Sequence, residues 1–463
     1  MRRNRASDGR LAAATCAMGT LTVNINNTAI NLALPAIRDE LRLDLVEMQW
    51  VSVSYVLILA ALTMIGGTLG DHFDKRQVLT VGLCVYTTGS LLGALSLSAL
   101  TLIGSRILAG IGAAVLVPVG LASLRQLASS PQQLTSYMSL WGLAVGLGMA
   151  LGPAVGGGLT GYLGWRALFV AMTAFGVIYL LAVRICLPRL DSFERAGVSI
   201  VSHMLAAISM VSAAGLVIEM RSDSPWLLKA SLAFALPVCG TLWIHRDRTT
   251  SHPVIPPCAW RNPNYAAALA IGFTNYVALG ATVFLSSLFL QDAAQLPAAV
   301  AGFGCVPLAA ATAWGATWAG AHEMPDAARR VVQVAAMLLG CGLTVAGAGV
   351  VFQTVSDSPA VAIFTYVVGT SLMGFGFGAA NAPVNVMAMS SLPKRQSGVA
   401  GSSASTARQL GQSLGVAAGG LLLSLADSPG GSTSPQSYVL PSLSIFMCAV
   451  VLMFLPLRFS RHS

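Results

Sequence analysis

The feature that most constrains this chain is a succession of apolar segments, each long enough to cross a lipid bilayer. A membrane-spanning helix needs about 20 apolar residues, and windows of that length give fourteen such spans. Backbone polar groups inside lipid must be hydrogen-bonded within the protein, so each span is predicted to be an α-helix. The spans lie at residues 11–35, 49–70, 78–97, 100–124, 136–160, 166–187, 197–218, 226–245, 264–290, 298–320, 331–352, 360–390, 398–425 and 438–457.

Composition excludes a soluble fold. Of the 463 residues, 55% are hydrophobic and only 9% are charged, and the mean hydropathy is +0.73. A soluble domain typically carries about 25% charged residues. The longest stretch between spans, residues 246–263, is too short to fold as a separate domain. The sequence therefore predicts an all-α integral membrane protein in contact with the lipid bilayer.

The distribution of basic residues predicts the orientation. Lys and Arg concentrate in cytoplasmic loops. With the amino terminus inside and the spans alternating, most of the 26 Lys and Arg residues fall on the cytoplasmic side. The net charge of +9 is then explained without a nucleic-acid partner. We expect a multi-pass protein of the plasma (inner) membrane with both termini in the cytoplasm. The outer side holds only Arg38, Arg42, Arg166, Arg221 and Lys229.

Several chemical functions have no support in the sequence. The eight cysteines are scattered singly without a CxxC pair, which indicates neither a disulfide framework nor a metal site. A phosphate-binding GxxxxGK[ST] loop is absent, and no Ser/His/Asp constellation stands out. We expect no enzyme activity, no metal and no cofactor.

Residues 142–161 form an uncharged span that is rich in glycine. Gly148, Gly152 and Gly156 lie on one helical face, where a neighbouring backbone can approach closely. Gly157 follows directly, and Pro153 is predicted to bend the helix. The pattern indicates either a helix between two moving halves or a small-residue packing face without a moving part.

Arg106 lies inside the span at 100–124. A cation near the bilayer centre costs on the order of 2.5–3.5 kcal/mol on insertion scales, so it is usually paired or faces a watery cavity. Gly110 and Gly112 on the same helix would leave room beside it. The alternative is an arginine that extends its charge to the outer surface.

The turn at residues 66–79 reads GGTLGDHFDKRQVL. Asp71 lies at the end of one span, and Lys75 and Arg76 begin the next. A carboxylate here can cap a helix or pair with a cation on a neighbour, which would hold the cytoplasmic face shut in one state. The alternative is an ordinary polar turn.

Three segments resemble the signatures of one family. Residues 67–79 resemble G-x-L-x-D-R-x-G-R-K, residues 106–114 resemble R-x-x-x-G-x-G, and residues 146–159 resemble G-x-x-x-G-P-x-x-G-G. His72 and Asp74 depart from the first pattern. On these motifs, and over nearly its whole length, the chain resembles a major facilitator superfamily transporter of the fourteen-helix drug:proton antiporter group. The matching positions are Gly67, Leu69, Asp71, Lys75, Arg76, Arg106, Gly110, Gly112, Gly148, Gly152, Pro153, Gly156 and Gly157.

The resemblance implies a fold and a mechanism. It implies a major facilitator fold with six-helix bundles at residues 1–190 and 263–463, and two additional central helices within residues 191–262. It also implies a monomer that exports a small molecule by alternating access, driven by inward proton movement.

One position departs from the family pattern. In NINNTAINLALP, residues 24–35, Asn26 stands where the family usually has an embedded aspartate. An amide cannot titrate, so the proton-carrying residue stays open. The candidates are Asp71, a carboxylate at a helix end such as Asp292, or no proton site of the usual kind. Asn26 itself either packs against other polar groups or contacts substrate.

A cavity for amphipathic compounds should be apolar with a few polar groups. Each polar side chain inside a span is a candidate for such a group, although each can equally form a hydrogen bond between helices. The two embedded arginines allow a neutral or anionic substrate. The candidates are Asn26, Asn27, Tyr55, Arg106, Trp141, Asn275, Tyr276, Asn381, Asn385 and Arg408.

The sequence thus favours proton-coupled export of small amphipathic drugs or antibiotics. An importer or uniporter of a small metabolite is the first alternative, because Asn26 removes the usual proton site. A membrane sensor that transports nothing is the second, and it would call for a soluble signalling domain or a long tail.

Overall fold

The computed structural model describes residues 2–190, 199–250, 262–320, 325–355, 359–391 and 397–426. All regular secondary structure within these ranges is helical. The helices are α1 (Arg2–Leu41), α2 (Leu45–His72), α3 (Lys75–Ala94), α4 (Ala99–Ala113), α5 (Leu116–Leu127), α6 (Pro131–Leu163), α7 (Trp165–Cys186), α8 (Ile200–Glu219), α9 (Trp226–Thr249), α10 (Pro263–Leu288, continued by a π-helical turn at Phe289–Ala293), α11 (Ala298–Gly304), α12 (Val306–Gly320), α13 (Pro325–Val355), α14 (Pro359–Ser390) and α15 (Ser397–Ala426).

The helices account for most of the predicted spans. Eleven helical segments among the described residues are long and apolar enough to cross a membrane. The first thirteen predicted spans each coincide with helix, and the fourteenth, 438–457, lies outside the described residues. The all-α membrane fold is therefore confirmed, while the count of fourteen spans stays a prediction.

Two predicted spans are each built from two helices. The span at 100–124 is interrupted between α4 and α5 at Ala114, and the span at 298–320 is interrupted between α11 and α12 at Cys305. Pro118 and Pro307 follow these breaks. A proline has no N–H to donate to the carbonyl four residues earlier, which weakens the helix at that point. By contrast, α6 runs through Pro153 without interruption.

Short side chains fix where several helices begin. Asp44 accepts a hydrogen bond from the backbone N–H of Glu47 at 2.7 Å, while the Glu47 carboxylate accepts from Asp44 N–H at 3.1 Å. Ser98 and Thr101 make the same reciprocal pattern at the start of α4. These capping boxes satisfy backbone donors that a helix leaves free at its first turn.

The helices pack in two groups. In the amino-terminal group, α1–α7, α1 packs on α5, α6 and α7, and α3 packs on α4 and α7. In the carboxy-terminal group, α10–α15, α10 packs on α15, and α12 and α13 pack on α14. The groups meet where α2 contacts α15 and where α6 contacts α11. The predicted domain boundaries lie beside residues 191–198 and 251–261, outside the described part, and stay a prediction.

Helices α8 and α9 pack on each other, and α8 also contacts α2 and α15. No residue in the most apolar stretch of α9 is buried. Trp226 is 77% exposed and Phe234 is 70% exposed. An exposed apolar surface of this kind is stable against lipid tails and unstable in water. The exposure therefore agrees with a membrane-embedded protein.

Candidate functional site

Arg106 is held inside the amino-terminal group and is 2% exposed. Its Nη1 donates to Asn26 Oδ1 on α1, and its Nε donates to the carbonyl oxygen of Val51 on α2 at 3.2 Å. The guanidinium carbon lies 4.6 Å from the centre of the Tyr55 ring, a cation–π contact. Three helices therefore meet at this one cation, and the extended, surface-seeking alternative for Arg106 does not apply.

Asn26 continues this polar network. Its Nδ2 donates to the Tyr86 hydroxyl on α3 at 3.1 Å, and that hydroxyl lies 3.6 Å from the Met172 sulfur on α7. The amide thus accepts from Arg106 and donates to Tyr86, which a carboxylate could not do in the same way. Tyr86 and Met172 were not predicted as site residues. Each lies in an apolar helix, and nothing in the sequence indicates that the two side chains meet.

Arg408 on α15 has similar partners in the carboxy-terminal group. Its Nη1 donates to Asn385 Oδ1 on α14, and its guanidinium carbon lies 5.8 Å from the centre of the Tyr276 ring on α10. Gly272 on α10 lies beside the Arg408 stem, where an added Cβ would be in ordinary van der Waals contact with Arg408 Cγ at 3.5 Å. Unlike Arg106, Arg408, Asn385 and Tyr276 are each only partly buried.

The two groups meet around a small cavity. Asn27 Nδ2 on α1 donates to Gln412 Oε1 on α15 at 3.0 Å, one helical turn beyond Arg408. The cavity is small and partly open to solvent. Its lining comes from α1, α2, α10 and α15 and consists of Asn27, Asn31, Ser52, Val53, Val56, Gly280, Val283, Gln412, Ser413 and Val416.

The remaining candidates lie apart from that cavity. Asn275 is buried and donates to the carbonyl oxygen of Phe377 on α14 at 3.2 Å, so it joins two helices. The Trp141 side chain packs on the apolar core of the amino-terminal group, where no described residue forms a hydrogen bond with its Nε1. Asn381 on α14 is partly buried. The roles of these residues in substrate binding stay a prediction.

A set of contacts joins the two groups at the end of the molecule where α1 stops and α2 starts; we call it the outer seal, because the orientation predicted from the sequence places this end on the external side. Arg38 on α1 forms a two-pronged ion pair with Asp292 beyond α10, with N–O distances of 2.6 and 2.9 Å. Gln291 Nε2 donates to the carbonyl oxygen of Leu32 at 3.1 Å, and Ser287 Oγ donates to that of Asn31. Asp292 lies on the π-helical turn, whose wider winding determines the direction in which the Asp292 side chain leaves the helix.

Further contacts support the outer seal from α2. Gln49 Nε2 donates to the carbonyl oxygens of Val416 and Ala417 on α15, at 3.2 and 2.8 Å. Trp50 Nε1 donates to the Glu219 carboxylate at the end of α8 at 2.7 Å. Gln49, Trp50 and Glu219 were not candidates from the sequence, because polar residues at helix ends carry no indication of a distant partner.

Beside the outer seal, Arg166 donates to Glu40 Oε1 and Trp165 Nε1 donates to Glu40 Oε2 at 2.8 Å. These two hydrogen bonds, that from Arg166 first, lower the pKa of Glu40 below its ordinary value. The contact stays within the amino-terminal group and fixes the end of α1 against α7.

The glycine-rich helix α6 presents two faces. A Cβ on Gly148 would lie 2.7 Å from Asn24 Cβ, and one on Gly156 would lie 2.8 Å from Ala29 Cα, both on α1. Gly152 faces Thr28 on α1 in the same way. Gly157 faces the other group, where a Cβ would lie 2.8 Å from Gly302 Cα on α11. The close approach expected along Gly148, Gly152 and Gly156 is therefore present, and Gly157 adds a second close approach, to α11, that the sequence did not predict.

The predicted cytoplasmic turn is only partly described. The side chain of Asp71 lies outside the described part of the structure. Asp74 caps α3 by accepting from the backbone N–H of Arg76 at 3.1 Å. Arg76 Nη2 donates to the carbonyl oxygen of Arg184 at the end of α7, and Lys75 is buried. A gating role for this turn stays a prediction.

Comparison with known proteins agrees with this architecture. Methylenomycin A resistance protein of Bacillus subtilis (strain 168) is 28% identical over 417 residues, covering 89% of this chain and 86% of that protein. Multidrug efflux pump LfrA of Mycolicibacterium smegmatis (strain ATCC 700084 / mc(2)155) is 27% identical over 440 residues, covering 92% of this chain and 84% of that pump.

Solved structures share the fold. A POT family transporter in complex with 5-aminolevulinic acid superposes with a TM-score of 0.72, covering 97% of this chain and 96% of that one, at 12% identity. At that identity the likeness concerns the fold alone. Residues 16–416 match the Major Facilitator Superfamily. This match covers most of the sequence and agrees with the helical membrane architecture, so the chain belongs to the major facilitator superfamily.

Proposed function

We propose that this chain is a secondary transporter that exports small amphipathic compounds, antibiotics among them, by alternating access coupled to protons. The outer seal carries the proposal, because it joins the two helix groups at one end through an ion pair and several hydrogen bonds beside a shared apolar core. Polar contacts of this kind between two helix groups can break and re-form, which alternating access requires. The resistance and efflux proteins among the relatives support the direction and the substrate class.

We further propose Asp292 as the residue that couples transport to protons. Asp292 is the acidic partner of Arg38 across the two groups, and its side chain is 12% exposed. A carboxylate that takes up a proton loses its charge and with it most of its attraction for an arginine. Proton uptake from the outer side would then open the outer seal. Asp71 remains a second candidate for this role.

The proposed setting follows from the distribution of charge. The protein lies in the plasma membrane as a monomer with both termini in the cytoplasm. Most of its basic residues lie in the cytoplasmic loops. In this orientation the outer seal closes the external face, and the ends of α2 and α6 nearer Asp71 face the cytoplasm.

The experiment uses everted membrane vesicles from cells with and without the protein, supplied with ethidium, chloramphenicol and nalidixic acid. We expect at least one compound to accumulate in the lumen when it is acidic, and nigericin to abolish the accumulation. Asp292→Asn should remove the dependence on the pH gradient, while Asp39→Asn, at an exposed carboxylate that also contacts Arg38, should leave it. Equal accumulation with and without the protein for every compound would refute the proposal.

The second candidate is an importer or uniporter of a small metabolite. It is favoured by the Asn26 contacts, because an amide that bridges Arg106 and Tyr86 leaves no titratable group at that position. Proteoliposomes with a pH-sensitive dye inside distinguish the two. Substrate addition that moves no protons, in either imposed direction of the pH gradient, would favour the second candidate.

A further inference from the structure

Arg408 lies deep in α15 and remains partly accessible. It is eleven residues from the start of a 30-residue helix, which places it about 16 Å along the helix axis at 1.5 Å per residue. An arginine at such a depth in a membrane helix usually faces a cavity and marks a substrate or ion pathway. Arg408 is partly exposed, and the neighbouring turn carries Gln412, which lines the cavity between the two helix groups.

Arg408 has no acidic partner among the described residues. Ion pairs join Arg38 to Asp39, Arg38 to Asp292, and Arg166 to Glu40, all at or beside the outer seal. The partner of Arg408 is the neutral amide oxygen of Asn385, so no acidic side chain in the described ranges balances the positive charge of Arg408.

Arg106 provides a comparison within the same molecule. It also contacts an asparagine oxygen and a tyrosine ring, but it is 2% exposed and donates to a backbone carbonyl as well. Arg106 is therefore a buried cross-link between helices. Arg408 has the same types of partner, but part of its side chain remains exposed. A ligand-binding arginine has this arrangement.

We propose that Arg408 binds the acidic group, a carboxylate, of an amphipathic substrate. The guanidinium presents paired N–H donors that match the two oxygens of a carboxylate. Asn385 fixes one nitrogen, and the Tyr276 ring lies beside the guanidinium. Tyr276 packs edge-to-face on Phe377, with ring centres 5.0 Å apart, and offers an apolar surface for the rest of the molecule. This inference rests on the proposed transport function and specifies its substrate class.

The test measures binding, which does not depend on export. Purified protein in a neutral detergent is titrated with dansylglycine and with dansylglycinamide, which differ only by carboxylate against amide. We expect the carboxylate to bind about tenfold more tightly or better, as expected for a charge-assisted hydrogen bond. Arg408→Gln should remove the preference, and Arg408→Lys should retain part of it because the charge remains. Equal binding of the two probes by the wild type, or an undiminished preference in Arg408→Gln, would overturn the inference.

Controls separate folding, charge and lipid effects. Arg189→Gln removes one positive charge at an exposed position and should keep the full preference. Asn385→Ala leaves the guanidinium in place but unsupported, and it should reduce the carboxylate preference below that of the wild type; this comparison still tests the site if Arg408→Gln fails to fold, and an undiminished preference in both Asn385→Ala and Arg408→Lys would then overturn the inference. Nanodiscs of phosphatidylcholine with and without phosphatidylglycerol test for a lipid headgroup, and loss of the preference with the anionic lipid would assign the site to lipid and overturn the proposal.

If everted vesicles accumulate none of the compounds while dansylglycine still binds preferentially through Arg408, the proposed export fails and the carboxylate site stands. If export is observed but the two dansyl probes bind alike, the export proposal stands and the carboxylate site fails.

Discussion

The two embedded arginines illustrate how a single residue type can serve two purposes. A charged side chain at mid-membrane costs on the order of 2.5–3.5 kcal/mol, and removing one partner of a buried charge costs more. Arg106 offsets part of this cost through Asn26, Val51 and Tyr55, all within the amino-terminal group, while its buried Nη2 has no hydrogen-bond partner among the described residues. These contacts hold α4 against α1 and α2.

The first prediction concerns Asn26, the neutral partner of that charge. Asn26→Asp places an opposite charge beside Arg106, and we expect the free energy of unfolding to rise by about 1–3 kcal/mol. The measurement is the midpoint of thermal unfolding in detergent at neutral pH, which should be higher than in the wild type. Asn26→Leu removes the hydrogen bonds to Arg106 and Tyr86 and should lower the midpoint. In Asn26→Asp combined with Arg106→Ala the new acid is buried alone, so the gain should disappear. An Asn26→Asp protein less stable than Asn26→Leu would contradict this account.

The sequence was sufficient to identify Arg106, Asn26, Tyr55, Arg408 and Asn385 as individual candidates, but not to pair them. A charged or amide residue inside an apolar span stands out in the sequence, because placing it in the membrane is energetically unfavourable and such residues are rare there. Its partner depends on the rotation of one helix against another, which periodicity alone leaves undetermined. Tyr86 was missed for this reason, since an aromatic residue in an apolar helix is not unusual.

At the scale of helices, the glycines of α6 decide how closely three helices approach. Gly156 faces α1 within the amino-terminal group, and Gly157 faces α11 in the other group. Gly158 has no heavy atom within 4 Å of the position a Cβ would take. Of these three consecutive residues, the first packs within its own group, the second packs against the other group, and the third faces open space.

The second prediction follows from Gly156. Gly156→Val pushes a side chain into the backbone of Ala29, and overpacking of this kind costs about 1–3 kcal/mol. We expect a lower midpoint of thermal unfolding for Gly156→Val. Gly158→Val is the matched control and should unfold at the wild-type temperature, and a similar loss in both variants would mean that helix propensity, not α1–α6 packing, is responsible.

The third prediction concerns Gly157, which contacts the other group. Gly157→Val should leave the packing of α1 on α6 intact while keeping α11 at a greater distance. We therefore expect slower transport in everted vesicles with a midpoint of unfolding close to that of Gly158→Val. Wild-type transport by Gly157→Val would show that the α6–α11 approach is not required during the cycle.

Helix positions were largely predictable, and helix breaks were not. Hydropathy located thirteen of the predicted spans because lipid requires long apolar helices. The interruptions at Ala114 and Cys305 depend on prolines four and two residues later, Pro118 and Pro307. A proline in a membrane helix can also be accommodated without a break, as Pro153 in α6 shows. The sequence signal was therefore present but ambiguous.

At the scale of the whole molecule, the outer seal adds polar contacts to the α2–α15 and α6–α11 packing that joins the two groups. The fourth prediction is that the Arg38–Asp292 ion pair favours the closed outer end by about 1 kcal/mol, roughly a fivefold shift in population, because the pair is two-pronged and only partly exposed. Arg38→Gln and Asp292→Asn should each increase the open population. Distances between spin labels at Leu97 and Val300, two exposed positions near this end in different groups, measure this population.

The exchange of charges provides the control for that prediction. Arg38→Asp combined with Asp292→Arg restores opposite charges across the same pair of positions and should recover most of the closed population. If the double variant is as open as either single variant, the contribution of the pair is not electrostatic, and Gln291 with Ser287 would carry the closure.

The ion pair of the outer seal also sets an order of events during synthesis. Arg38 and Asp292 are 254 positions apart, so Asp292 is still untranslated when the helices that follow Arg38 have left the ribosome and entered the membrane. The amino-terminal helices must therefore reach a stable arrangement with Arg38 paired to its neighbour Asp39 alone, and a truncated product that ends before α10 would lack the two-pronged partner by which quality control could distinguish finished protein.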